Sequence, residues 1–166
     1  MIESVGFTGS SEVMTQQQLI MVHQLLGEFK EKGASFAHHG MCVEADAKFD
    51  FMADAMGYEV TGHPGVRKDG SVYKRMTGCR ARDVRPPYPF LKRNRYIVAE
   101  SDVMVACPKE YEMQFIGSGT WATIRYAREA LKPLFIVYPN GRMEIERADK
   151  VFPPEYVAYL TGIHDP

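Results

Sequence analysis

The sequence predicts a single α/β domain with a mainly parallel sheet and helices on both faces. Short apolar runs of strand length alternate along the chain with longer segments whose apolar residues recur at helical spacing. Two short runs, Val103–Cys107 and Leu134–Val137, are apolar throughout, as strands buried on both faces are. With 166 residues and 45% hydrophobic content, the chain can bury one core. We expect one domain over residues 1–166, with a core at 2–139 and an edge strand and tail at 140–166.

The first predicted unit is a strand, a small-residue turn and a helix. The strand covers residues 2–7, and the stretch Thr8-Gly9-Ser10 after it allows a ligand to approach the backbone closely. Thr15 and Gln18 have the spacing of a capping box, which marks a helix start. Apolar residues then follow helical spacing until Gly33, namely Leu19, Val22, Leu25, Leu26 and Phe29.

A second unit of the same kind follows. Residues 34–37 form a candidate strand that runs into the stretch His38-His39-Gly40. The next helix ends at Gly57 and has one apolar face, made of Ala45, Phe49, Met52, Ala53 and Met56. Residues 58–62 are a third candidate strand. Strands that alternate with helices of this length favour a parallel sheet.

Residues 63–89 are predicted to be a long basic connection. Glycines and prolines are mixed there with Arg67, Lys68, Lys74, Arg75, Arg80, Arg82 and Arg85. Connections of this length inside a compact domain are usually functional or mobile. We expect either a lid whose arginines bind an anion or a solvated segment without a function.

The second half of the chain continues the alternation. Phe90–Glu100 is compatible with a helix, on which the stretch Arg93-Asn94-Arg95 is expected to be exposed. The helix after residue 118 has a predicted core stripe of Trp121, Ile124, Ala127 and Leu131. After a turn at residues 139–141, Met143 and Ile145 alternate with polar residues, which predicts an edge strand. A last helical turn is expected within residues 153–166.

The glycine-rich stretch between the two fully apolar runs is the leading candidate site. Gly117, Ser118, Gly119 and Thr120 follow a strand and open a helix. The first backbone N–H groups of a helix have no partner within it, and the helix dipole favours negative charge there, so a phosphate group is the expected ligand. Alternatively, the glycines only serve a tight turn.

Composition excludes several broad classes of function. The formal net charge is −1, from 20 basic and 21 acidic side chains, which argues against general binding to nucleic acid or anionic membranes but permits a local basic patch. The three cysteines are widely separated and indicate neither a disulfide framework nor a zinc knuckle. His38, His39 and Cys42 lack further ligands nearby in the sequence, so no metal site is predicted. No leader or membrane span is evident, and we expect a cytoplasmic protein.

Several stretches together resemble the DprA/LOG-like (SLOG) superfamily of Rossmann-like domains. In order along the chain they are Thr8-Gly9-Ser10, His39-Gly40 with Ala45-Asp46, Gly62-His63-Pro64-Gly65, residues 93–98 with Ser101-Asp102, and residues 117–120 with Ile124-Arg125-Tyr126-Ala127. The resemblance covers about residues 2–139. It implies a nucleotide-type ligand over the carboxyl ends of the strands. Members include phosphoribohydrolases, DNA-processing proteins and sensors of nucleotide-derived signals.

The resemblance to the hydrolase branch is incomplete. Arg93 matches the arginine on the helix before the glycine loop, but Trp121, Ala122 and Thr123 stand where that branch has a glutamate. Glu112 is the carboxylate predicted to replace it, because cleavage of an N-glycosidic bond needs an acid or base. The loop and the Arg93-Asn94-Arg95 stretch look more like the DNA-processing branch.

The sequence therefore predicts binding of a nucleotide or nucleotide-derived small molecule. The predicted ligand-binding residues are Thr8, Gly9, Ser10, His39, Gly40, Asp46, Arg93, Arg95, Gly117, Ser118, Gly119 and Thr120, with Glu112 and Arg93 as catalytic candidates. The alternatives are an N-glycosidase that acts on a nucleoside monophosphate and, less favoured, a single-strand nucleic-acid binder. We expect a homodimer and no bound cofactor.

Overall fold

The computed structural model describes residues 2–162 and has a mainly parallel sheet with helices on both sides. The strands are Ser4–Gly9 (β1), Phe36–His39 (β2), Glu59–Gly62 (β3), Gly65–Val66 (β4), Asp83–Val84 (β5), Tyr88–Pro89 (β6), Val103–Cys107 (β7), Leu134–Val137 (β8) and Met143–Glu146 (β9). The helices are Gln16–Glu31 (α1), Ala45–Ala55 (α2), Phe90–Glu100 (α3), Gly119–Glu129 (α4) and Pro154–Gly162 (α5).

Seven of the strands form one sheet in the order β5-β3-β2-β1-β7-β8-β9. Every neighbouring pair is parallel except β8 and β9, which are antiparallel. The strand order reverses direction between β1 and β7, and this is the point where open α/β sheets bind ligands at the carboxyl ends of their strands. The predicted α/β fold and the predicted edge strand, which is β9, are confirmed.

The helices cover both faces of the sheet. Helices α1, α2 and α5 pack against one face, where Phe7, Phe29 and Phe135 are fully buried. Helices α3 and α4 pack against the other face, in a second core that includes Trp121 and Ile136. Strands β7 and β8 therefore place alternate side chains in two different cores, which accounts for their continuous apolar runs.

Local signals fix the start and end of the first helix. The Thr15 hydroxyl accepts a hydrogen bond from the Gln18 amide, and the Gln18 side chain accepts one from the Thr15 amide, both at 3.1 Å. This is the predicted capping box, and it satisfies two amides that the helix leaves unpaired. Gly33 follows the end of α1 with a φ of 106°, a conformation that glycine adopts at little steric cost because it has no Cβ.

Three side-chain or boundary predictions are wrong. Strand β2 includes His38 and His39, whereas the predicted strand covers residues 34–37. Arg93 and Asn94 are buried, because the face of α3 that meets the sheet includes both positions. Leu131 is exposed, since α4 ends at Glu129 and Leu131 adopts a left-handed conformation beyond it.

The long basic connection is anchored to the domain at two places. An antiparallel bridge joins Arg75 to Cys42, and the Met76 amide donates to the carbonyl of Met41 at 2.9 Å. Further along, the Arg80 amide donates to both oxygens of the buried Asp50 carboxylate, at 3.2 Å to Oδ1 and 3.1 Å to Oδ2. These contacts bring part of the connection back over the carboxyl end of the sheet.

Within residues 2–162, no helix is both long and apolar enough to cross a membrane. The expected helical turn near the end is present as α5, and the part of that expectation that falls on residues 163–166 lies outside the described residues.

Candidate functional site

Helix α4 begins at the glycine-rich stretch, with its first amides free. Ser118 is the N-cap, and its Oγ accepts a hydrogen bond from the Trp121 amide at 3.2 Å. Gly117 has a φ of 75°, a conformation that favours glycine. Among residues 2–162, the amides of Gly119 and Thr120 have no hydrogen-bond acceptor, as expected for the first turn of a helix.

The side chains that replace the glutamate of the hydrolase branch have structural partners. The Trp121 ring is buried, and its Nε1 donates to a carboxylate oxygen of Glu110 at 3.1 Å. The Thr123 hydroxyl donates to the Gly119 carbonyl at 2.8 Å. Both side chains therefore stabilise the start of α4 rather than face a ligand.

The end of β1 lies opposite this helix start. Thr8 and Gly9 are the last residues of the strand, and Ser10 follows it, with its amide 3.3 Å from the carbonyl of Cys107. A Cβ on Gly9 would lie 2.5 Å from the Cβ of Ala45, so glycine allows α2 to pack against the strand end. Because β1 and β7 are parallel neighbours, their carboxyl ends open on the same space.

Arg93 is the central side chain on the floor of this space. Its guanidinium donates to the carbonyl of Gly40 and, at 2.9 Å, to the carbonyl of His63. Its Nε donates to the Oδ1 of Asn94 at 2.7 Å, and the Asn94 amide group reaches the Gly119 carbonyl at 3.5 Å. Arg93 thus ties the ends of β2 and β3 to α3 and, through Asn94, to α4.

Asp46 lies beside Arg93 in the first turn of α2. It is buried, and its carboxylate accepts a hydrogen bond from the Cys42 amide at 3.0 Å. Burial raises the pKa of Asp46, although nearby His39 and Arg93 oppose the shift. A Cβ on Gly40 would lie 2.6 Å from a guanidinium nitrogen of Arg93, so only glycine lets these groups meet.

Basic and aromatic side chains form the rim. Lys74 comes from the basic connection, and its Nζ lies 3.2 Å from the Ser11 hydroxyl. Lys109 pairs with Glu12 at 2.9 Å. Arg125 donates to the carbonyl of Gln114 at 2.8 Å. Tyr73 and Phe115 also line the rim, and both rings are exposed.

These elements enclose a cavity of about 560 Å³. Ten of the predicted residues line it: Thr8, Gly9, Ser10, Gly40, Asp46, Arg93, Gly117, Ser118, Gly119 and Thr120. Sequence reasoning missed Tyr73, Lys74, Lys109, Phe115 and Arg125 as lining residues. Of these, Lys74 carried a signal as part of the basic connection, and Arg125 as part of one of the stretches that resemble the superfamily. Asp46 is the only carboxylate among the described residues that line the cavity.

Three predicted residues do not line this cavity. His39 is fully buried, where its Nε2 meets Asp50 at 2.9 Å and its Nδ1 accepts from the Met41 amide. Arg95 is on the outer face of α3, stacked on the ring of Tyr126. Glu112 is exposed in the insert before α4. Among the predicted residues, these three are therefore the ones that the fold separates from the site.

The residues that could bind a metal fall into two separate groups in the structure. His38 and His39 are neighbours on β2, so their side chains point to opposite faces of the sheet. His38 meets His63 and Glu100, whereas His39 meets Asp50 and Cys79. Cys42 belongs to neither group and lies 3.6 Å from a guanidinium nitrogen of Arg93.

Comparison with known proteins supports the fold. No protein-family model and no curated protein matches the chain. Among solved structures, it is similar to TM1055, with 16% identity, a TM-score of 0.56, and coverage of 80% of this chain and 72% of that one. DNA processing protein A from Helicobacter pylori, described with a single-stranded DNA binding mode, has 16% identity, a TM-score of 0.55, and coverage of 98% and 82%.

The molybdenum cofactor binding protein from the phototrophic bacterium Rippkaea orientalis is similar to the same degree. It has 19% identity, a TM-score of 0.55, and coverage of 99% of this chain and 87% of that one. These structures confirm the predicted Rossmann-like α/β fold. They have the same Rossmann-like architecture as the chain, while their ligands differ from one another.

The position of Arg93 predicts a large difference between two arginines on one helix. Arg93→Lys keeps the charge, but one ammonium group cannot replace both the guanidinium nitrogen that reaches two carbonyls and the Nε that donates to Asn94, so we expect the free energy of unfolding to fall by about 1.5–3 kcal/mol. Arg95→Lys, on the exposed face, should change it by no more than about 0.5 kcal/mol. Urea unfolding of both variants measures the difference, and equal stabilities would contradict the role assigned to Arg93.

Proposed function

We propose that the chain binds a nucleotide or nucleotide-derived small molecule in the cavity, with a phosphate group at the start of α4. The observation that carries the proposal is the pair of free amides at Gly119 and Thr120, which open on a cavity lined by four cationic side chains. These cations are Lys74, Arg93, Lys109 and Arg125. An anion would satisfy the amides and gain from both the helix dipole and the cationic side chains.

Gly119 supports this assignment in particular. A Cβ at this position would meet only the Asn94 amide nitrogen, at 3.6 Å, and Gly119 does not have a positive φ. The protein's own packing and backbone therefore tolerate alanine there. Glycine at the first position of a helix costs stability, and leaving the backbone open to a ligand is a reason to keep it.

The rest of the cavity suits the sugar and base of a nucleotide. Its volume of about 560 Å³ is within the usual range for small-molecule sites. Asp46 can accept a hydrogen bond from a ribose hydroxyl, and the rings of Tyr73 and Phe115 at the rim can stack on a base. Small-molecule binding by the structurally similar molybdenum cofactor binding protein agrees with this type of ligand.

Loading of single-stranded nucleic acid is less well supported. Three arginines of the basic connection have acidic partners: Arg80 with Asp50 and Asp54, Arg82 with Glu59, and Arg85 with Asp83 and Glu100. None of the three lines the cavity among the residues described for it. The basic connection therefore offers much less free positive charge than its sequence indicates, and backbone binding depends on such charge.

Substitution of Gly119 tests the proposed phosphate position. Gly119→Ala should fold with equal or greater stability, because alanine favours helix. We expect its methyl group to weaken nucleotide binding by at least about tenfold, or about 1.4 kcal/mol, because it occupies the approach to the amides. The ligand is the best binder from a thermal-shift panel of nucleoside mono- and diphosphates, dinucleotides, cyclic nucleotides and inorganic phosphate.

Gly27→Ala is the matched control. It makes the same change in helix α1, where a Cβ would meet nothing within 4 Å. This variant should bind the chosen ligand as the original chain does. Equal affinity in Gly119→Ala and Gly27→Ala, measured by calorimetry, would contradict the proposal, as would a panel without any stabilising member.

Hydrolysis of an N-glycosidic bond is a second candidate, supported by Asp46 instead of Glu112. A carboxyl group that burial holds at a raised pKa in a cavity has the properties of a general acid. If the chain is such an enzyme, incubation with nucleoside monophosphates should release free base, and Asp46→Asn should abolish the release while nucleotide binding persists. Release that persists in Asp46→Asn but stops in Glu112→Gln would contradict this role.

A further inference from the structure

A second group of polar side chains lies on the other side of Arg93, under the end of helix α3. His38 comes from β2, His63 follows β3, and Glu100 is the last residue of α3. The Nε2 of His63 lies 2.9 Å from the Nδ1 of His38 and 3.1 Å from the Oε2 of Glu100. The His38 nitrogen and the Glu100 oxygen are 4.0 Å apart. Three atoms with lone pairs thus converge on one point.

This group has too few protons for its contacts. Both rings are buried, and a neutral imidazole has only one N–H. If His38 donates to the Nε2 of His63, that nitrogen has no proton for Glu100. If the Nε2 of His63 carries the proton, one N–H must serve both neighbours. A cation that accepts all three lone pairs would satisfy every contact.

The surroundings of the group suit a bound metal ion. The side chains of His38 and His63 are 7% and 2% exposed, whereas that of Glu100 is 33% exposed. Arg85 donates to both oxygens of Glu100, most closely to Oε1 at 3.0 Å, and this fixes the carboxylate as outer partners of metal ligands do. His38 and Glu100 border a second cavity of about 480 Å³, which gives an entry path.

The other histidine group does not meet these requirements. The Nδ1 of His39 accepts a hydrogen bond from the Met41 amide, so a proton of the ring is on Nε2, where the hydrogen bond to Asp50 raises the pKa of His39 to about 9. This Nε2 donates to Asp50 at 2.9 Å and has no lone pair for a metal. The carboxylate of Asp50 also holds the Arg80 amide, so the group with Cys79 serves as an anchor of the basic connection.

We propose that His38, His63 and Glu100 bind one divalent transition-metal ion of the zinc type. Two imidazole nitrogens and one carboxylate oxygen are a common ligand set for such ions, and they leave at least one coordination position for water or a ligand from the second cavity. The His63 carbonyl also accepts from Arg93, so the metal would hold the segment that supports the nucleotide cavity. The two sites use different side chains, so loss of the metal ligands leaves the residues that line the nucleotide cavity in place.

Metal titration of the untagged chain tests this site. After treatment with a chelator, calorimetry with Zn²⁺ should show one equivalent bound, and Co²⁺ should give visible absorption without a thiolate charge-transfer band. Glu100→Gln should lower the affinity for Zn²⁺ by at least about tenfold, since an amide oxygen is a weaker ligand. Because Glu100 is partly exposed, this variant should fold, which circular dichroism verifies.

Two matched variants separate this group from other histidines and thiols. His23→Gln changes an exposed histidine of α1, and Cys79→Ser changes the group around Asp50; both should bind Zn²⁺ with unchanged affinity. The proposal is overturned if no equivalent of Zn²⁺ binds, if Glu100→Gln binds as tightly as the original chain, or if Cys79→Ser loses the ion.

Discussion

The buried guanidinium of Arg93 is the contact on which the rest of the site depends. It joins the carbonyls of Gly40 and His63, where β2 and β3 end, to helix α3. A buried charge is costly unless its donors are satisfied, and here the two carbonyls and Asn94 satisfy them while the Asp46 carboxyl lies nearby. The floor of the cavity therefore has one well-defined arrangement, because any displacement of these strand ends would leave buried donors unpaired.

The same contact separates two chemically different regions. On one side are the strand end of β1, the free amides of α4 and cationic side chains, which together favour an anion. On the other side, the imidazole of His63 lies close to His38 and Glu100, and these three side chains together favour a cation. The architecture is that of proteins with quite different ligands, so the ligand follows from these local groups and not from the fold.

Sequence patterns were sufficient for the elements but not for all side chains. Continuous apolar runs predict the limits of β7 and β8, and small-residue turns together with the family resemblance predict ten residues that line the cavity. The sequence does not predict the burial of Arg93, because a charged residue on a helix is expected to be exposed, although Ile97 follows it by one helical turn. Neither the pairing of the basic connection with residues 41–43 nor the approach of Glu100 to His63 leaves a local pattern, since both join distant parts of the chain.

The central claim is that a phosphate-bearing ligand binds between the start of α4 and the end of β1. The most direct measurement is a series of ¹H–¹⁵N correlation spectra during titration with nucleoside monophosphates, nucleoside diphosphates and inorganic phosphate. The account predicts that the amides of Gly119 and Thr120 shift together with those of Gly9 and Ser10, in a saturable manner. Saturable binding that leaves the Gly119 and Thr120 amides unshifted, or a titration in which no member of the series shifts them, would contradict it.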